Sequence, residues 1–376
     1  MTVNRKKLGL IVNPIAGMGG RVGLKGSDGE EILRRARQLG AQPTAPDRVV
    51  QALAGLKPLA DQIEVITYPA EMGAMEARQA GFTPRVIRQI IPNRTSAADT
   101  RRAAEEMAAL GVDLLLFAGG DGTARDVYEA IGLHIPALGI PAGVKIHSGV
   151  YATTPDRAAQ LAAMVLNGQV KAFGELEVMD IDEDAFRKGR ISARLYGYLK
   201  VPLERRFTQG AKAASSNSAN EEAARQSIAE QIVETMKPGY LYIIGSGTTP
   251  RAIMERLGLQ NTLLGIDAVM GGNLIAADLN ESRLLKLMDD YKTRIIVTPI
   301  GGQGYVFGRG NQQLSPEVIR KSGIENIIVA ATPAKLASLQ RRPLLVDTGD
   351  NQVDEMLRRY VRVVTAFREE MVYKIA

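Results

Sequence analysis

One stretch of this chain constrains its fold more than any other. An apolar run, Val112–Phe117, leads directly into the glycine-rich loop GGDGT at Gly119–Thr123. The chain then becomes amphipathic, with apolar side chains at helical spacing at Ala124, Val127, Tyr128 and Ile131. A buried strand, a glycine loop and a helix that packs back onto the strand form the unit from which parallel α/β sheets are built. The sequence therefore predicts such a sheet, with this loop at its carboxyl edge.

The same alternation of strands and helices runs through the first half of the chain. Further strands are predicted at Leu8–Asn13, at Ile63–Tyr68, at Arg85–Ile90 and in the segment PALGIPAG. Helices are predicted after the capping-box pair Ser27 and Glu30 and over Ala97–Leu110. These elements predict an α/β fold whose first domain, residues 1–160, contains a Rossmann-like parallel sheet.

The second half of the chain begins differently. From about Val170 apolar and polar residues alternate, as they do in antiparallel strands, and a second α/β series starts at Tyr240–Ile244. Later strands are predicted at Leu263–Ile266, Ile295–Thr298, Ile327–Ala331 and Leu344–Asp347. Helices are predicted to begin at Thr249–Pro250, Ser315–Pro316 and Thr332–Pro333. We expect a mixed α/β second domain over residues 161–376, whose closing strands either stay in it or return to the first sheet.

Composition excludes several classes of protein. The chain has no cysteine, so it has no disulfide framework, no thiolate nucleophile and no sulfur-ligated metal, and we expect a cytoplasmic protein. The net charge of +6 comes from scattered basic residues, and tryptophan is absent, which disfavours nucleic acid and favours small anionic ligands. Leu8–Val12 is too short for a signal peptide, and no apolar run approaches the length of a membrane span.

Glycine-rich loops follow two of the predicted strands of the first domain. Glycines allow a ligand to approach the backbone closely, and the N–H groups that open the next helix attract phosphate. Such loops are also ordinary turns, but two at one sheet edge favour a nucleotide site. The candidate binding residues are Asn13, Gly17, Gly119, Gly120, Gly122 and Thr123. The loop GSGTT after Tyr240–Ile244 resembles a separate phosphate cradle, formed by Gly245, Ser246, Gly247, Thr248 and Thr249.

NPIAGMGG together with GGDGTARDV resembles the superfamily of NAD kinases, diacylglycerol kinases and sphingosine kinases. The resemblance continues through PALGIPAGVKIHSGV, the place of the superfamily's next nucleotide loop, and adds Lys145 as a candidate nucleotide contact. In the second half, GSGTTPRAIMERLG and TPIGGQGYVFGRGNQQLSP look like the ATP-NAD kinase-like group. The resemblance implies ATP, Mg²⁺ and NAD as ligands and assigns catalysis to Asp121, for which general-base action is the physical role we expect.

The chain departs from the superfamily pattern at two places. After GGDGT it has Ala124, Arg125 and Asp126, and Asp126 aligns with a glutamate of the lipid kinases. The spacing from Thr123 to Asp126 also fits a capping box, and we favour this structural interpretation. The Thr-Gly-Asn-Asp stretch of the lipid kinases is replaced here by Val144–His147, which argues against a lipid substrate.

Metal-ligating residues are not indicated clearly. Asp180, Asp182 and Asp184 alternate as they would on one face of a strand, where carboxylates suit magnesium. A solvated strand face opposite the basic segment RKGR is the interpretation we favour. His134 is interpreted as a turn residue, whereas His147 lies in the third glycine loop, so no histidine pair is available for a metal. We therefore predict no protein metal site.

The sequence as a whole predicts a kinase that transfers phosphate from ATP, or from inorganic polyphosphate, to the 2′-hydroxyl of the adenosine ribose of NAD, which yields NADP. Two alternatives stay open at this point. One is a kinase of the same fold that acts on another small hydroxylated metabolite or a lipid, and the other is a nucleotide-binding regulator without catalysis. Small nucleotides are the expected partners, and binding to nucleic acid or to a membrane is not expected. The chain is expected to form a homo-oligomer.

Overall fold

The structure is a computed structural model that describes residues 5–24, 30–90, 94–144, 146–170, 172–181, 193–204, 219–262, 264–300 and 304–376. The chain divides into two compact units. Unit 1 comprises Met1–Met18, Gly26–Arg37 and Gln42–Ala211, and unit 2 comprises Gly19–Lys25, Gln38–Ala41 and Lys212–Ala376. The expected domain boundary near residue 160 thus falls inside unit 1.

Unit 1 is built on a parallel sheet of order β3-β2-β1-β4-β5. Its strands are β1 (Lys6–Val12), β2 (Ile63–Thr67), β3 (Arg85–Val86), β4 (Leu114–Gly119) and β5 (Ala137–Pro141). The predicted Rossmann-like sheet is confirmed. The order reverses between β1 and β4, and in open α/β sheets ligands bind outside the carboxyl ends of strands at such a switch point.

Helices pack against this sheet through their apolar faces. They are α1 (Glu30–Gln38), α2 (Ala45–Leu56), α3 (Ala74–Gln79), α4 (Ala97–Ala109), α5 (Asp121–Ile131) and α6 (Pro155–Leu166). Ala124, Val127 and Ile131 of α5 are buried as predicted. Gly55 of α2 lies so close to Ala159 of α6 that a Cβ on Gly55 would stand 2.7 Å from the alanine Cβ. This pair of packed helices was not anticipated from the sequence.

An antiparallel hairpin of β6 (Phe173–Ile181) and β7 (Ala193–Pro202) confirms the alternating pattern predicted after Val170. It belongs to unit 1. Gly197 of β7 lies directly against the ring of Tyr128, where a side chain would overlap the ring. The hairpin therefore packs on α5, the helix that follows the GGDGT loop.

Unit 2 contains a mixed sheet of order β10-β9-β8-β11-β13-β15-β16 and a small sheet of β12 and β14. The strands are β8 (Tyr240–Ile244), β9 (Asp267–Met270), β10 (Asn273–Ala276), β11 (Lys292–Val297), β12 (Tyr305–Phe307), β13 (Ile327–Ala330), β14 (Leu345–Val346), β15 (Tyr360–Ala366) and β16 (Glu369–Lys374). The helices are α7 (Ala219–Glu234), α8 (Thr248–Arg256), α9 (Glu281–Asp290), α10 (Pro316–Ser322), α11 (Pro333–Ser338) and α12 (Asn351–Leu357). The predicted mixed α/β character is confirmed.

One strand predicted for unit 2 differs from the structure, and the structure decides the pairing of the later strands, which the sequence left open. The strand expected at Leu263–Ile266 begins only at Asp267, because the Asp267 carboxylate accepts the N–H groups of Thr262 and Asp278 and closes a turn before it. The strand near Leu344 pairs with β12 instead of the main sheet. The closing strands β15 and β16 lie in the sheet of unit 2, since β15 pairs with β13.

Candidate functional site

Asn13 joins the first two glycine loops of unit 1. It follows β1, and its backbone N–H donates to the carbonyl of Ala118 in the neighbouring strand β4 at 3.0 Å. Its side-chain Nδ2 donates to Oγ1 of Thr123 at 3.0 Å, while its Oδ1 accepts the N–H of Ile15 at 3.2 Å. The asparagine thus ties the NPIAGMGG loop to the first turn of α5, at the switch point of the sheet.

The glycines of these loops are required by close contacts with neighbouring backbone and side-chain atoms. A Cβ on Gly143, in the loop after β5, would stand 2.7 Å from the Cα of Gly120. A side chain on Gly119 would overlap Thr123, and one on Gly17, at φ +80°, would overlap Thr44 and the carbonyl of Ala142. The loops after β1, β4 and β5 therefore converge on one place. Gly143 was not singled out from the sequence, because its partner Gly120 is distant along the chain.

Asp121 is the first residue of α5 and is only 6% exposed. Its Oδ2 accepts the N–H of His147 at 2.7 Å, and its Oδ1 accepts the N–H of Ser148 at 3.0 Å. Burial raises the pKa of Asp121 to about 7, although these hydrogen bonds act to lower it. A carboxylate with a pKa near neutrality is suited to accept a proton at physiological pH.

Tyr151 contacts both the GGDGT loop and strand β5. Its hydroxyl donates to the carbonyl of Gly120 at 2.5 Å, and its ring packs on Gly139 so closely that a side chain there would overlap it. His147 is buried, and its backbone N–H holds the carboxylate of Asp121. No sequence motif marks Tyr151, and this functional candidate was missed for that reason.

Asp126 does not cap its helix, and the capping-box interpretation of Thr123 and Asp126 is wrong. The helix begins at Asp121, with Gly120 as its N-cap residue and no side-chain cap. The Asp126 carboxylate instead accepts a hydrogen bond from Nη1 of Arg101 at 2.8 Å. Burial raises the pKa of Asp126 to about 6, against the lowering effect of Arg101. Its role is to join α5 to α4.

Some of the remaining acidic and basic candidates lie in the part of the chain that the structure describes, and others do not. Asp180 forms an ion pair with Nη1 of Arg125 at 2.7 Å. Asp182, Asp184 and Lys145 lie outside the described residues. Within the described ranges, no group of three or more His, Cys, Asp or Glu side chains is arranged to hold a metal. Nor does any helix in those ranges combine the length and apolar character needed to cross a membrane.

The GSGTT loop lies in unit 2, after β8. The helix that follows it begins at Thr248 with Gly247 as the N-cap residue, so the predicted N-cap at Thr249 is wrong and Pro250 is the third helical residue. Ser246 Oγ donates to the carbonyl of Gly310 at 3.1 Å, which joins this loop to the segment GRGNQQ. The candidate residues therefore form two groups, one in each unit.

The family model of the ATP-NAD kinase N-terminal domain matches residues 8–170, and that of the ATP-NAD kinase C-terminal domain matches residues 239–375. Together the two models cover most of the chain. No curated protein matches it.

Proposed function

Because the chain belongs to the ATP-NAD kinase family, we propose that it transfers the γ-phosphoryl group of ATP to the 2′-hydroxyl of the adenosine ribose of NAD. Membership in this family indicates a phosphotransferase that handles nucleotides. The identity of the acceptor, the donor and the product NADP are our proposal. Polyphosphate as a donor, a homo-oligomeric state and a cytoplasmic location stay predictions.

The observation that carries the proposal is the placement of Asp121. Phosphoryl transfer to an alcohol needs a group that receives the hydroxyl proton while the phosphates are held in line. Asp121 stands at the carboxyl edge of the sheet, between two glycine loops, with its pKa raised to about 7 by burial. The N–H groups of His147 and Ser148 fix the direction of its carboxylate, so a hydroxyl that approaches it meets an oriented base.

The neighbouring backbone supports binding of the donor. Helix α5 begins at a glycine N-cap without a side-chain cap, so the N–H groups of its first turn are available to phosphate oxygens. The backbone crossing of Gly120 and Gly143 keeps side chains away from this edge. Mg²⁺ bound mainly through the phosphates would neutralise their charge.

The proposal is tested by incubating the protein with Mg²⁺, ATP and a panel of NAD, NADH, diacylglycerol and small polyols. We expect NADP to form from NAD, detected with an NADP-specific dehydrogenase, and the Asp121→Asn variant serves as the control for contaminating kinases. Phosphorylation of another acceptor without NADP would assign the fold to a different substrate. Absence of any transfer would indicate a nucleotide-binding regulator.

We expect the Asn13→Ala variant to bind ATP about tenfold more weakly, since it loses the hydrogen bond that ties the first loop to Thr123. One such bond contributes roughly 0.5–1.5 kcal/mol, and 1.4 kcal/mol corresponds to a factor of ten in affinity. ATP affinity is measured by calorimetry. Thr123→Val removes the same bond from the other side, so the double variant should be no weaker than the weaker single one. Additive losses would show that the two residues act independently.

A further inference from the structure

Arg125 lies one helical turn after Asp121 in α5. Residues four positions apart share one face of a helix, so the two side chains are neighbours. Nη1 of Arg125 donates to Oδ2 of Asp180, on β6, at 2.7 Å. Arg125 also belongs to the stretch after GGDGT at which the chain departs from the superfamily pattern. The helix that carries the proposed base therefore also carries an ion pair, and the proposed function assigns no role to that pair.

The acidic partner of this ion pair is connected to Asp121 through Ser148. The N–H of Ser148 donates to Oδ1 of Asp121 at 3.0 Å. The hydroxyl of Ser148 donates to the carbonyl of Met179 at 2.8 Å and accepts the N–H of Met179 at 2.9 Å. Met179 directly precedes Asp180 in β6. The contacts thus run from Asp121 to the strand of Asp180, and the ion pair returns them to α5, all within unit 1.

Both members of the ion pair are held in place. The side chain of Asp180 is 13% exposed and that of Arg125 is 34% exposed. The guanidinium of Arg125 also lies 5.4 Å from the centre of the Tyr196 ring, and its Nε lies 3.9 Å from Oε1 of Glu129. Charges that are partly shielded from water are screened less than exposed ones, so they act on their neighbours.

The charge of Asp180 acts on the carboxyl group of Asp121. Burial raises the pKa of Asp121, the hydrogen bonds from Ser148 and His147 lower it, and the negative charge of Asp180 raises it. The positive charge of Arg125 opposes the effect of Asp180, because the two charges form a pair.

Other titratable side chains also lie on the elements around Asp121. They are Tyr151 and His147 after β5, Asp126 and Glu129 of α5, Glu177 of β6 and Tyr196 of β7. Substitution of Arg125 or Asp180 leaves all of these in place, so it isolates the effect of the ion pair.

We propose that Arg125 and Asp180 are positioning residues for Asp121, whose ion pair sets the pH range in which this carboxylate is a base. A lone negative charge beside Asp121 would keep the proton on it, and a lone positive charge would make it a weaker base. The pair acts through Asp121 and not on the substrate. This role rests on the proposed function, because the balance of charge matters for turnover only if Asp121 receives the hydroxyl proton.

Two variants that break the same ion pair test this role on the full chain. Asp180→Asn leaves Arg125 uncompensated, so the pKa of Asp121 should fall by about one pH unit. Arg125→Met leaves Asp180 uncompensated, so the pKa of Asp121 should rise by about as much. A purely structural role would move this pKa in the same direction in both variants, whereas a role of charge moves it in opposite directions.

The pKa of Asp121 is measured by carbon NMR of protein labelled at the carboxyl groups of aspartate. Its signal is identified by its absence from the Asp121→Asn variant. This readout needs no turnover. The pH at which kcat for NADP formation is half-maximal is measured in parallel, and it should move with the pKa.

Three further variants make the test specific, once circular dichroism confirms their folds. Arg125→Lys keeps the positive charge and should stay close to the wild type in both readouts. Combining Asp180→Asn with Arg125→Met removes both charges and should return the pKa of Asp121 towards its wild-type value. Arg101→Met breaks the ion pair between α4 and Asp126 and should move the pKa of Asp121 much less.

The outcomes separate this role from the proposed function. Shifts in the same direction, no shift in either variant, or an Arg125→Lys variant that behaves like Arg125→Met would overturn the role of the pair and leave the kinase proposal standing. Opposite shifts of the pKa without NADP formation would refute the kinase proposal and leave the coupling of charges in place. Opposite shifts with an unmoved pH profile of kcat would overturn the role of the pair in turnover.

Discussion

In the Asp121→Asn variant kcat falls by about 10²–10⁴-fold, the usual contribution of a general acid or base. Asparagine keeps the size of the side chain and can still accept one of the two backbone N–H groups, those of His147 and Ser148, but it cannot accept the hydroxyl proton. ATP binding, measured by calorimetry, changes little, because the donors of the first turn of α5 belong to the backbone. The expected signature is a loss in turnover with nearly constant affinity for ATP.

The matched control is Asp126→Asn. Asp126 is also buried in α5 and also has a raised pKa, but its partner is Arg101 of a neighbouring helix. This variant should keep kcat within a few-fold once circular dichroism confirms its fold. Wild-type turnover in Asp121→Asn would mean that Asp121 only holds the backbone of His147 and Ser148, and the proposed mechanism would fail.

The pH dependence follows from the same carboxylate. Burial raises the pKa of Asp121 to about 7, so the basic form is lost as the pH falls below that value and kcat should fall with it. The residual activity of Asp121→Asn should lack this inflection.

The same carboxyl group makes stability depend on pH in the opposite direction. The folded state binds the proton more tightly than the unfolded state, so the contribution of Asp121 to the free energy of unfolding decreases as the pH rises from 3.8 to about 7.

In the Gly143→Ala variant the dissociation constant of ATP rises by about tenfold or more. The new Cβ would stand 2.7 Å from the Cα of Gly120, and no side-chain rotation relieves a clash between two backbones. Overpacking of this kind costs roughly 1–3 kcal/mol, and 1.4 kcal/mol corresponds to a factor of ten in affinity. The displaced group is the N-cap residue of α5, which directs the N–H donors of its first turn.

Gly168→Ala controls for the strain of replacing a glycine. Gly168 has φ +68°, and a Cβ there meets nothing within 4 Å. This variant should lose some stability, measured by thermal unfolding, and keep its affinity for ATP. Equal ATP affinity in Gly143→Ala and the wild type would show that the crossing of the two loops does not shape the donor site.

The sequence by itself determined the elements whose signals are local. The run before GGDGT is buried as β4, the apolar spacing of α5 is its buried face, and the glycine loops stand at strand ends because parallel strands bring their carboxyl ends to one edge. The serine–proline and threonine–proline pairs at Ser315 and Thr332 start helices as predicted. Each of these features depends on residues that lie close together along the chain, and the sequence shows such residues directly.

Tertiary structure alone decided the properties that depend on distant partners. The carboxylate of Asp121 is oriented by N–H groups 26 and 27 residues away, and its pKa follows from burial that no motif expresses. Asp126 pairs with Arg101 and does not cap its own helix, because the helix begins three residues earlier than the capping pattern requires. Long-range packing sets these contacts, and their partners are not adjacent in the chain.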